Sequence, residues 1–62
     1  MKEYAIDIMV EDDGNKFIKR EFFFFHDSVM KQTKEDMEKG LASYFGYDKV
    51  DILALLPVDE LT

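Results

Sequence analysis

The chain contains no cysteine, which removes disulfides and thiolate zinc sites together. A single histidine, His26, makes no metal site without several converging carboxylates, so neither a metal nor a cofactor is expected. Pro57 is the only proline, and no linker, repeat or low-complexity tract interrupts the 62 residues. Long hydrophobic runs are missing as well. The longest are Phe22 to Phe25 and Ile52 to Val58, far short of the ~20 residues that cross a bilayer. Asp7 breaks the one early apolar stretch, so no leader is expected and the cytoplasm is the expected location.

Positive charge is scarce: eight basic residues face fourteen acidic ones, a net charge of -6. Direct nucleic-acid binding needs Lys and Arg to displace counterions from phosphates, and here they are scattered among carboxylates. An acidic surplus suits solubility, or a surface that resembles nucleic acid to a basic protein. The chain is expected to fold as one domain, residues 1–62. A domain so small buries only about 60% of its unfolded surface, and without disulfides or metal the remaining remedy is oligomerisation.

What is present is strongly patterned. Tyr4, Ile6, Ile8 and Val10 alternate on one side of a first strand. Glu11-Asp12-Asp13-Gly14-Asn15 is a turn cluster, and Lys16 to Phe25 a second, aromatic strand. A two-residue Asp13-Gly14 loop sets Ile8 opposite Lys19 and Ile6 opposite Glu21. A three-residue Asp12-Asp13-Gly14 loop sets Ile8 opposite Ile18, Tyr4 opposite Phe22 and Asp7 opposite Lys19. The second gives apolar and opposite-charge pairs, so the three-residue loop is expected.

Met30, Thr33, Met37, Leu41, Tyr44 and Phe45 then recur at helical steps, with Gly46 as the stop. Thr33 with Asp36 resembles a capping box and Ser28 is a rival cap, so the helix begins at one or the other. Lys49 to Leu56 is a third strand closed by Pro57, and Val58 to Thr62 an acidic tail. The expected fold is α+β: ββαβ, a three-stranded antiparallel sheet of order 2-1-3 with one helix on one face. The helix is expected over Tyr4, Ile6, Ile8, Val10, Ile18, Phe22 and Phe24. Met9, Phe17, Phe23 and Phe25 then fall on the reverse face, joined by Leu53 and Leu55 if Val50, Ile52 and Ala54 point inward. Such a patch calls for cover, and a homodimer through those six residues is expected.

No catalytic constellation emerges, and the chain is not expected to be an enzyme. His26-Asp27-Ser28 spells a hydrolase triad, but consecutive residues leaving a strand point in different directions. Glu11-Asp12-Asp13-Gly14 lacks the alternating ligands and distal Glu of a calcium loop. Glu35 with Glu38 reads as a solvated helix face.

Three stretches carry a family resemblance: Ile8 to Lys16 as a hairpin, Asp36-Met37-Glu38 opening a helix, and Tyr44-Phe45-Gly46 closing it. In these, and in length and acidity, the chain resembles the small acidic phage proteins that inhibit uracil-DNA glycosylase. It departs from them by about four additional residues between the last two stretches, close to one helical turn. The segment after His26 is also longer, and Met37 stands where the family has an aromatic. The resemblance implies an acidic homodimer in the host cytoplasm that occupies the enzyme's DNA-binding cleft and seats its apolar finger in a pocket. Met37 and Glu38 would carry the pocket and its charged rim, completed by Leu41, Tyr44 and Phe45. The alternative is another protein-interaction module that binds a partner through its sheet edge or apolar face.

Overall fold

A computed structural model describes residues 1–60. Two long strands, β1 (Lys2–Asp12) and β2 (Asn15–Phe25), are followed by a 3-10 turn at Val29–Lys31 and one helix, α1 (Lys34–Phe45). Strand β3 (Lys49–Pro57) and a 3-10 turn at Val58–Glu60 complete the described chain. The sheet is antiparallel with order β2-β1-β3. That is the α+β, ββαβ architecture expected from the pattern. The expected acidic tail is a 3-10 turn as far as Glu60, and residues 61 and 62 lie outside the described residues.

Local chemistry sets the helix ends. Thr33 is extended, and its Oγ1 accepts the Asp36 N–H at 3.1 Å, which decides between the two candidate caps. Ser28 precedes the 3-10 turn and makes no side-chain cap bond. Met30, read as part of the helical stripe, lies in that turn. Gly46 ends α1 at φ 76°, where a side chain would be strained.

The hairpin corrects the expected register. Asp13 and Gly14 have φ 50° and 80°, the two left-handed residues of a two-residue type I′ loop. Ile8 therefore pairs with Lys19, Ile6 with Glu21, Tyr4 with Phe23 and Asp7 with Arg20. A one-residue slip exchanges the faces of a strand, so Phe17, Phe23 and Phe25 point to the helix side, and Ile18, Phe22 and Phe24 to the reverse. The I′ turn wins because its twist matches that of the strands it joins.

The two charges this register sends to the helix side are both satisfied. Lys19 Nζ donates to Tyr47 Oη at 2.7 Å, pairs with Glu21 at 2.8 Å and lies 4.2 Å from the Phe45 ring centroid. On the reverse face Arg20 makes a bidentate pair with Asp7, at 2.6 and 3.0 Å. Asn-Gly is the favoured I′ pair, and the Asp48 carboxylate contacts only the backbone N–H of Asp13, at 3.0 Å. Asp13→Asn should therefore raise stability by about 0.5 kcal/mol. A urea midpoint that falls instead would contradict this account of the loop.

A bulge corrects β3. Ile8 pairs with Ile52 but Asp7 with Ala54, which leaves Leu53 without a partner on β1. Val50 and Ile52 face the helix, as expected. Beyond the bulge Leu55 pairs with Ile6 and packs on the core, whereas Ala54 and Leu56 turn to the reverse face. The core is Ile6, Ile8, Val10, Leu41 and Val50, with Met37 and Tyr4 beside it, and Ala5 is buried on the other side of β1.

Candidate protein-docking groove

Helix α1 approaches β3 more closely than it does either other strand, so β2 runs out beyond its flank. Between them lies a half-open apolar groove of about 290 Å³. Phe23 and Phe25 form one wall from β2, with Val29 and Gln32 from the segment after it. Met37, Gly40, Leu41 and Tyr44 form the other, one per turn or less along α1.

The aromatic wall is rigid by mutual contact. Phe23 stacks on Phe25 with centroids 5.6 Å apart and meets Tyr44 edge-on at 5.7 Å. Met37 and Leu41 are buried at the floor, whereas Tyr44 is 73% exposed at the lip. A Cβ on Gly40 would meet nothing within 4 Å. This glycine is not required for packing inside the chain, and it leaves the helical wall bare.

The five helix residues expected to bind a partner divide. Met37, Leu41 and Tyr44 line the groove. Phe45 lies beside it, edge-on to Phe23 at 5.8 Å and stacked on Tyr47 at 5.3 Å. Glu38 faces β3 instead: its Oε2 accepts the Ile52 N–H at 2.6 Å and the Lys34 Nζ at 2.7 Å. Burial pushes the Glu38 carboxyl up, but the bonds from Lys34 and Ile52 outweigh it and hold the pKa below the ordinary glutamate value. Glu38 is thus a structural acceptor at the bulged strand and not a rim charge.

Sequence reasoning missed Phe23 and Phe25 in this groove, although the two-residue loop would have placed them there. Val29 and Gln32 carried no signal. The segment His26-Asp27-Ser28 builds the 3-10 turn, its carbonyls accepting from Val29, Met30 and Lys31 at 3.0 to 3.3 Å.

Six expected dimer-interface residues also divide. Phe23 and Phe25 wall the groove, Phe17 meets Tyr47 edge-on on the helix side, and Leu55 packs on the core. Met9 and Leu53 alone remain clear of the helix-side packing. The reverse face is built instead from Ile18, Phe22 and Phe24, which are 65%, 55% and 64% exposed, with Leu56 across the sheet. Among the described residues no group of His, Asp and Glu could hold a metal, and no helix is long and apolar enough to cross a membrane. Comparison with family models, curated proteins and solved structures finds no match to this chain.

Proposed function

We propose that this protein is an acidic protein-binding domain, not an enzyme, that blocks the DNA-binding cleft of uracil-DNA glycosylase. The observation that carries the reading is an open apolar groove in a domain with a net charge of -6. A basic cleft attracts such a domain at long range, but charge alone binds promiscuously. An apolar anchor in a preformed pocket supplies specificity. At about 290 Å³ the groove sits at the lower limit of small-molecule pockets, a size that suits a protruding apolar side chain. Asp36, one helical turn before Gly40, adds negative charge on the same side of the helix. The resemblance of Ile8 to Lys16, Asp36 to Glu38 and Tyr44 to Gly46 to the glycosylase inhibitors is what points to the glycosylase among DNA-handling enzymes. The same reading has the protein acting as a homodimer in the cytoplasm, that of the host if it is phage-encoded.

The test is uracil excision from a labelled oligonucleotide by purified glycosylase with rising amounts of this protein. Inhibition should be complete near stoichiometry and weaken as salt is added. Undiminished excision at large molar excess would end the glycosylase assignment. Gly40→Leu makes the sharper variant because its two effects have opposite signs. It fills the groove and should weaken inhibition at least about tenfold, while better helix propensity raises stability by about 0.5–1 kcal/mol. A variant that is stabilised yet inhibits normally would place the contact elsewhere.

One observation favours a second reading. The outer edge of β2 is unpaired over eleven residues and free of proline, so a partner strand could extend the sheet there. Binding of that kind would be nearly insensitive to salt.

A further inference from the structure

We infer that the reverse face of the sheet is where a second copy of this chain docks, sheet against sheet. This names the surface of the homodimer proposed above, and its test does not involve the glycosylase. Three observations point to a second copy and not to a basic partner.

The first is area. Ile18, Phe22, Phe24, Leu53 and Leu56 are between 37% and 65% exposed. With their neighbours they present on the order of 600 Å² per copy, so a pair reaches the ~1,200 Å² at which stable interfaces begin.

The second is charge. By strand register this face carries Lys16 and Arg20 against Glu3, Asp7 and Glu11, a near balance of two cations and three carboxylates, while Lys49 and Asp51 at the β3 edge lie beside the helix. Most of the chain's -6 therefore lies elsewhere, and a like-charged copy meets little repulsion here. The same balance gives a basic partner little reason to choose this side.

The third is shape. Phe22, Ala5 and Leu56 form one row across the three strands, and Ala54 lies beyond Asp7 in the next. Ala5 is 2% exposed between Phe22 and Leu56, so the row presents the two larger side chains to the outside. A two-fold copy can pack its own apolar row against this one, in the aligned packing of a sandwich. Asp7 and Arg20 at the centre already satisfy each other, so covering them strands no unpaired charge.

Sedimentation velocity on the full chain tests this across a concentration series at low and high salt. The protein should be a dimer at tens of micromolar, and added salt should leave it intact or tighten it. Phe22→Asp should raise the dissociation constant on the order of a hundredfold. Ile18→Lys, farther along the same strand, should act in the same direction. Both side chains are more than half exposed, and far-UV circular dichroism should show the fold retained. Tyr44→Ala, in the groove, should leave the dimer unchanged. A wild-type monomer at hundreds of micromolar would overturn the proposal. So would a dimer that survives both β2 substitutions, or one that Tyr44→Ala dissociates.

Discussion

Phe23→Ala is expected to cost about 3 kcal/mol, whereas Phe22→Ala, one residue away, should cost less than about 1 kcal/mol. Phe23 contacts Phe25, Tyr44 and Phe45 at 5.6 to 5.8 Å between ring centroids and packs against the buried cluster. Phe22 is 55% exposed on the opposite face. Alternation of one apolar run thus assigns neighbouring phenylalanines to different tasks. A chain of this length has about 3–9 kcal/mol of total stability, so the first substitution should bring it close to unfolding. Urea titration followed by circular dichroism measures both variants. It should be run at low protein concentration, because self-association adds apparent stability. Equal losses would mean that the faces of β2 have been misassigned.

Glu38→Ala should cost about 2 kcal/mol, although the residue looks from sequence like an ordinary helix-surface glutamate. Its Oε2 holds the backbone N–H of Ile52, beside the residue that bulges from β3. Removing the carboxylate leaves a half-buried amide without its partner and frees Lys34 as well. Glu38→Gln keeps an acceptor for Ile52 and loses only the charge, so it should retain about half of that stability.

The sign of the pH dependence follows from the lowered pKa. A carboxyl whose folded pKa is depressed contributes stability above its unfolded value, near 4.5 for glutamate. That contribution disappears as pH falls through the folded value. Asp7, lowered by its bond to Arg20, acts in the same direction. Urea midpoints should therefore be flat from pH 7 to about pH 5 and fall below it. The fall should be shallower in Glu38→Ala than in the wild type. An identical slope in both would remove Glu38 from the account.

Much of this protein is legible without its structure. Three strands and, from Thr33 on, the helical stripe survive, as do the stop at Gly46 and the sheet order, and Thr33 is one of the two caps read from the sequence. Each rests on chemistry within a few residues, or on the rule that short connections join antiparallel neighbours. The acidic surplus is legible in the same way, since it is a property of composition. Three of the five helix residues expected to meet a partner do line the groove, because a stripe at helical spacing shares one side whatever surrounds it.

The faces of the strands were decided otherwise. Side chains alternate with period two, so one residue more or fewer in a loop or bulge exchanges everything beyond it. Pairing preferences favoured Ile18 opposite Ile8, but the left-handed pair Asp13-Gly14 and the aromatic cage around Lys19 favoured the other register. At Leu53 a bulge reversed the end of β3, and nothing near that leucine announces it. The groove exists because α1 sits toward β3 and leaves β2 uncovered, a lateral placement that no periodicity encodes. By itself the sequence determined which elements form, in what order, and how much charge they carry, since those are sums of local preferences. Only the tertiary structure decided which phenylalanines face the helix and where a partner can enter, since those depend on the packing of segments distant in sequence.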